Sequence, residues 1–364
     1  MTLILTVIFV ALVFEYINGF HDTANSIATV VSTKVLSPRQ AVILAAFTNL
    51  LGALWGTAVA KTIASGLVDA KIVTSEIIVC ALLGAIVWNL ITWWVGLPSS
   101  SSHALVGGLC GACLAAAHNQ WNVIVWSIPG KEHWWEGKGI LWKVIVPMIS
   151  SPVVGFTVGF LIMGALYFLL RHWRPVTVNR VFGKLQLFSA AYMGFSHGTN
   201  DAQKTMGIIA LALASATATG IFGNVPEWLH FLKLPAPEAG HSLDIPIWIK
   251  VICALTMCAG TAAGGWRIIR TLGHKMVKLH PVHGFAAEAT GASVLVVAAH
   301  FGMPVSTTHA ITTSIMGVGC AKGFNHLKLK VVERIIWAWV LTIPASGLVA
   351  YALVRLARVC GWIA

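Results

Sequence analysis

An all-α polytopic membrane protein of about ten to twelve transmembrane helices and re-entrant hairpins, built as two inverted-topology repeats, is the predicted fold class. Three observations carry it. Of the 364 residues, 57% are hydrophobic and 10% are charged, against about 25% charged in soluble domains. Four stretches, Ala41–Ala60, Ile77–Gly96, Val144–Leu170 and Ile335–Val354, hold no charged residue, and each can cross about 30 Å of hydrocarbon as a helix. Two sets of motifs also recur in the same order in both halves. A soluble globule could not cover so much apolar surface, and a chain this hydrophobic is not disordered. Alternating strands of the β-barrel kind are absent.

Shorter apolar runs lie at Thr2–Phe14, Leu105–Ala117, Met206–Phe222, Val251–Gly265, Ala292–Gly302 and Ile311–Ala321. The first of them is not expected to be a signal peptide, because it lacks a basic start and is followed by Glu15. The seven cysteines sit in or beside apolar segments, and an odd count there argues against a disulfide framework. Cys110 and Cys113 have metal-like spacing, but Gly-Leu-Cys-Gly-Ala-Cys-Leu reads as small-residue helix packing. Trp93, Trp94, Trp134, Trp135, Trp337 and Trp339 read as interfacial anchors.

The net charge of +12 fits cytoplasmic loops rich in Lys and Arg. Arg171, Arg174, Arg180 and Lys184 crowd one linker, and Arg267, Arg270, Lys275 and Lys278 another, so both are expected inside. Excess positive charge favours anionic substrates, though only weakly by itself. No basic face or module points to nucleic acid.

The repeat is explicit. Gly19-Phe-His-Asp22-Thr-Ala-Asn25 answers Gly198-Thr-Asn-Asp201-Ala-Gln-Lys204, and Pro98-Ser-Ser-Ser-Ser-His103-Ala answers Pro304-Val-Ser-Thr-Thr-His309-Ala. Gly56-Thr-Ala answers Gly260-Thr-Ala, and Pro152-x-x-Gly155 answers Pro344-x-x-Gly347. The expected units are residues 1–170, a cytoplasmic linker 171–184, and residues 185–364. Lys34 and Arg39 place the loop after the first Asp motif inside. Its counterpart at 222–246, with Lys233 against Glu227, Glu238 and Asp244, belongs outside. Lys61 and Lys71 against Asp69 and Glu76 contrast with the basic counterpart at 267–278. Paired loops on opposite sides describe inverted repeats, an arrangement of secondary transporters that hold substrate where the repeats meet.

Asp22 and Asp201 occupy equivalent places beside membrane-type sequence. An ionised side chain in lipid costs about 2.5–3.5 kcal/mol or more, so two in register read as a cation or proton site. The plainer alternative is a carboxylate capping a broken helix or facing water at a membrane edge. Asn25 and Asn200 add neutral oxygens suited to Na⁺ or a hydrogen-bonded oxyanion. Pro98 and Pro304 interrupt helical runs and favour the first turn of new helices. Ser99, Ser100, Ser101 and Ser102 follow one proline, and Ser306, Thr307 and Thr308 the other. A helix start in the membrane presents free N–H groups and a positive dipole end, which with hydroxyls makes an oxyanion nest. Two aspartates beside an anion repel it, unless cations or protons bind with it; coupled symport follows from that electrostatics.

Lys204, three residues after Asp201, is either a built-in cation that touches substrate or a salt-bridge partner of Asp201. Glu288, in the apolar stretch Phe285 to Ala299, reads either as a second cation or proton site or as a residue snorkelling from a span end. His21, His103, His197 and His309 accompany the motifs; a proton relay is one role, a hydrogen-bonded structural residue the other.

These motifs resemble the inorganic phosphate transporter (PiT) family over nearly the whole chain. The carriers are Gly19-Phe-His-Asp-Thr-Ala-Asn25, Phe195-Ser-His-Gly-Thr-Asn-Asp-Ala-Gln-Lys204, Leu97-Pro-Ser-Ser-Ser-Ser-His103 and Gly302-Met-Pro-Val-Ser-Thr-Thr-His309. The resemblance implies a helical carrier of inverted repeats, importing orthophosphate with Na⁺ or H⁺ across the plasma membrane. It implies that the Asp motifs and hairpin tips line the sites, and that Glu288 matches a transport-essential glutamate. The family's Asn before the first Asp is His21 here, the second motif's Asn is Lys204, and Ile78 stands near the place of a first-repeat glutamate. These changes remove Na⁺ ligands and add proton-holding groups. They make the chain most similar to bacterial low-affinity members, associated with proton-coupled uptake of phosphate, often as a neutral divalent-metal complex.

The expectation is a multi-pass carrier of the bacterial inner membrane, not an enzyme and without a resident metal or cofactor. Ser100, Ser101, Ser102, Ser306, Thr307, Thr308, Asn25, Asn200 and Lys204 are expected on phosphate; Asp22, Asp201, Glu288 and His21 on the co-transported H⁺ or, alternatively, Na⁺. Mg²⁺ or another divalent ion with the phosphate, the lipid bilayer and a homodimer partner complete the expected associations. A hydrolase using a serine of 99–102 lacks a GxSxG elbow, and an anion channel would need no paired acids.

Overall fold

The computed structural model describes residues 1–65, 67–68, 72–130, 133, 137–223, 225–235, 244–323, 325 and 327–363. Asp69, Lys71, Trp134, Trp135 and Glu238 lie outside the described residues. Among those described, helices dominate and no extended sheet forms. The helix order repeats after six. The first half holds α1 (Thr2–Ser32), α2 (Pro38–Ala53), α3 (Ala58–Ser65), α4 (Ser75–Val95), α5 (Ser101–Ala116) and α6 (Val146–Leu169). The second holds α7 (Pro175–Ala218), α8 (Ile247–Ala263), α9 (Trp266–Arg270), α10 (Pro281–His300), α11 (Thr307–Cys320) and α12 (Leu329–Val359). Each half is a long helix, a bent pair, a hairpin and an outer helix with an internal proline, Pro152 or Pro344.

Five of the helices are long and apolar enough to cross a membrane, or up to seven if each bent pair is one span. The chain is therefore a multi-pass membrane protein. The outer helices α6 and α12 turn Ile149, Val153, Leu161, Phe168, Val340 and Leu348 outward, as a lipid-facing surface requires.

Three sequence boundaries are corrected. The charge-free stretch Ala41–Ala60 is not one straight span: α2 and α3 meet at a 68° bend. Gly56 takes φ +80° there, a left-handed conformation that a residue with a Cβ resists. Gln203 of α7 satisfies the opened backbone, accepting from Val59 N at 2.8 Å and Ala60 N at 3.3 Å and donating to Trp55 O at 3.3 Å. The runs Thr2–Phe14 and Met206–Phe222 are parts of the longer helices α1 and α7. Asp22 and Asp201 thus sit inside unbroken helices, not at broken ends. Finally, the linker is shorter than 171–184, because Pro175 is pre-set for a first helical turn and starts α7. Arg180 and Lys184 are helical.

The two long helices form the centre. The bent pairs are exchanged, with α2 and α3 against α7, and α8 and α9 against α1. Glycine at the same offset before each aspartate makes this possible. A Cβ on Gly19 would stand 2.6 Å from Met257 O of α8, and one on Gly198 would overlap the Asn49 carbonyl of α2. Gly198→Leu is expected to cost at least about 1–3 kcal/mol through overpacking. A thermal melt in detergent should show this as a lowered midpoint; a wild-type melt would contradict the close crossing.

The tryptophans divide. Trp94 and Trp337 are largely exposed, as anchors should be, whereas Trp339 turns inward to the hairpins. Cys110 and Cys113 both lie within α5, and no disulfide forms among the described cysteines.

Candidate functional site

The site grows from two helix starts. Helix α4 stops at Gly96, φ +73°. Pro98 cannot continue the ladder, and Ser100 then caps α5 by accepting from His103 N at 3.2 Å. The second hairpin repeats the solution: Gly302 takes φ +61°, Pro304 follows, and Ser306 caps α11 from His309 N at 3.1 Å. The tips touch. Ser102 Oγ donates to Val305 O at 3.4 Å, and the His103 and His309 rings stand 4.8 Å apart. Trp339 lies 4.0 Å over His309 and donates to Pro98 O at 3.0 Å, tying both hairpins together.

The acids of α1 and α7 close on these tips. His21 Nδ1 is 2.7 Å from Asp22 Oδ1, and its Nε2 lies 3.2 Å from Thr92 Oγ1 and 3.4 Å from Ser99 Oγ. Thr308 donates to Asp22 at 3.4 Å, and Thr307 to Asp201 Oδ2 at 3.0 Å. Asn25 Nδ2 donates to both threonine hydroxyls, at 3.1 and 3.0 Å. Lys204 pairs with Asp201, donates to Ser102 Oγ and reaches Val305 O at 3.1 Å. His197 Nε2 is 3.1 Å from Asp201 Oδ2. These groups are all buried.

The arrangement answers both chemistries at once. Two helix N-termini and a lysine bring positive potential and hydroxyl donors for an oxyanion. One ligand atom each from Asp22, His197 and Asp201 lie within 4.8 Å of one another, close enough to share a cation.

Of the expected residues, Ser102, Thr307, Thr308, Asn25, Lys204, Asp22, Asp201 and His21 come together. Ser100 and Ser306 serve as caps first. The Ser101 hydroxyl and both Asn200 amide atoms are buried without a hydrogen-bond partner among the described residues. Glu288 stands apart from the aspartates. It is fully buried in the interior of α10, not snorkelling from its end, and accepts from Thr29 at 2.5 Å, Gln186 at 3.0 Å and Ser189. Of the two readings of Lys204, the salt bridge to Asp201 forms. The sequence reading assigned no role in the site to Thr92 or Glu15, and it left His197 between a proton relay and a structural residue. His197 was findable, four residues before Asp201 on one helical face; Thr92 belongs to another helix and carries no local signal.

Comparison with known proteins shows the family and the fold. The profile described as "Phosphate transporter family" matches twice, over residues 18–178 and 170–350. A relative from Bacillus subtilis, a "probable low-affinity inorganic phosphate transporter", is 41% identical over 361 residues, covering 97% of this chain and 98% of its own. Relatives with the same description from Mycobacterium tuberculosis and Rhizobium meliloti are 43% and 42% identical, over 95% and 96% of this chain and 76% and 94% of theirs. The solved structure titled "The sodium-dependent phosphate transporter" superposes with a TM-score of 0.79 at 22% identity, over 99% of this chain and 100% of that one. At that identity the likeness establishes the fold.

Proposed function

The chain belongs to the phosphate transporter family and transports phosphate through a bacterial inner membrane, and from that premise we propose that it imports orthophosphate in symport with a proton. The observation that carries the choice of ion is Lys204. It stands where the PiT pattern has a neutral amide, and its ammonium already occupies the space between Asp201 and both hairpin tips. A fixed cation there removes one reason to recruit a mobile one. Asp22, paired with His21, is left as the exchangeable charge.

In this reading phosphate enters between Ser102 and Thr307–Thr308, and Lys204 meets it as a point charge. Asp22 takes the proton. Neutralising the site lowers the cost of moving it through low dielectric, and the two halves, as inverted repeats, rock about the tips to open on the other side. A second element rests on the Asp22–His197–Asp201 cluster. Two carboxylates and an imidazole suit a divalent ion better than they suit phosphate, so phosphate travels as a neutral complex with Mg²⁺ or a similar metal, which enters once Lys204 turns from Asp201 to the phosphate.

Radiolabelled phosphate uptake into proteoliposomes, with proton and sodium gradients imposed in separate runs, tests the coupling ion. The proton gradient alone is expected to drive accumulation, and millimolar Mg²⁺ to raise it. Uptake that needs Na⁺ would overturn the proton reading. Uptake indifferent to metal after chelation would overturn the complex.

A further inference from the structure

Glu15 is used by nothing described so far, yet it is as buried as any residue in the protein. It lies on α1, about two turns before Asp22, at 0% exposure. Its Oε2 accepts from Thr205, the residue after Lys204 on α7, and its Oε1 has no partner among the described residues. Asn18, one turn on, faces the same carboxyl. The titratable groups close enough to act on it are Asp201 and Lys204 of α7 and Cys253 of α8. Ala11, Phe14, Ala254 and Met257 belong to the same apolar cluster.

Comparison with Glu288 is informative. Glu288 accepts from three donors that together reach both its oxygens. Glu15 has one hydroxyl on one oxygen, Asn18 beside the carboxyl, and a second oxygen without a hydrogen-bond partner among the described residues. The nearby ammonium, Lys204, is committed to Asp201, Ser102 and Val305. An ionised carboxylate so placed is costly, and such groups neutralise instead. The bare oxygen is where a proton fits. Thr205 follows Lys204 on the same helix, so any movement of that turn when Lys204 turns to phosphate is felt at Glu15.

We propose that Glu15 is a second proton-binding site of the transport cycle, linked through Thr205 and Lys204 to Asp201. It carries one proton per phosphate beyond the proton taken at Asp22. The proton joins the carboxylate from water on the loading side and leaves to water on the other, and only O–H bonds form and break. The proposal rests on the proton-coupled reading above.

The test compares wild-type protein and Glu15→Gln in proteoliposomes. The proton-to-phosphate ratio is read from the pH difference that just balances a phosphate gradient, and phosphate self-exchange is measured at equal pH. Glu15→Gln is expected to lower the ratio by one proton and flatten the pH profile of net uptake. Gradient-driven accumulation should fall far more than self-exchange. An unchanged ratio and profile would overturn the proposal. If Glu15→Gln is not recovered folded, Glu15→Asp carries the same test: coupling is expected to return with a displaced pH profile, and a wild-type profile counts against the site. Wild-type uptake that ignores the proton gradient and follows Na⁺ would sink the parent reading instead. Infrared difference spectra then decide Glu15 separately: the protonated-carboxyl band of the wild type should be lost in Glu15→Gln, and its persistence there would remove the proton from Glu15.

Discussion

Asp22→Asn is expected to reduce phosphate uptake to the level of protein-free vesicles while leaving the protein folded. Asp22 is the carboxylate that no lysine neutralises. Its contacts are His21 on its own helix and Thr308 at the second hairpin tip, and through His21 it reaches Thr92 and Ser99 of the first hairpin. An asparagine has the same shape and can still accept from Thr308, so packing and melting temperature should change little. What it loses is the charge. It can neither take up and release a proton nor help hold a metal, so the gradient no longer drives phosphate through the site. Uptake and thermal unfolding measured on one preparation check both halves of the expectation. Wild-type uptake by a folded Asp22→Asn protein would refute the assignment of Asp22 to coupling.

Lys204→Met is expected to cost about 3–5 kcal/mol, because removing one partner of a buried ion pair leaves the other charge unpaired. Asp201 would keep His197 and Thr307, but neither supplies a permanent cation. The link from α7 to Ser102 and Val305 would also go. Uptake should be lost, and the melting midpoint should fall. The double variant Asp201→Asn with Lys204→Met is expected to recover much of the stability and none of the transport. That pattern separates the cost of an orphaned charge from the loss of function, as a double-mutant cycle does. A single variant that melts like wild type would show that the pair contributes nothing.

Much of this site was legible because it is written twice. Asp22 with Asp201, and the Pro-Ser/Thr-His tips, stand out as copies, and a charge inside an apolar run has few readings. The hairpins were legible for a local reason as well, since proline and a capping hydroxyl act within a few residues. The rest depends on contacts that no local pattern carries. The α2–α3 bend holds no proline, and the partner that satisfies it, Gln203, is 144 residues from Val59. Glu15 read as an ordinary acid after an apolar run, and only the packing of α1 against α7 shows that it is sealed. Trp339 shares its chemistry with interfacial tryptophans; its position over His309 is a property of the fold. The long helices were divided too readily, because polar residues inside α1 and α7 look like ends until their partners are placed.

The bonds from Lys204 to Asp201, Ser102 and the Val305 carbonyl have a thermodynamic consequence for the cargo. In the proposed phosphate site, the protein's own lysine holds together the groups offered to the anion. Phosphate then competes with an intramolecular ligand, and its apparent dissociation constant is the intrinsic one divided by the fraction of time the lysine is released. The same internal occupant lets the carrier return without cargo at little electrostatic cost, since Asp201 is never left bare. In that reading, weaker binding and faster return would follow from one contact, and a tighter grip on phosphate would slow the empty carrier.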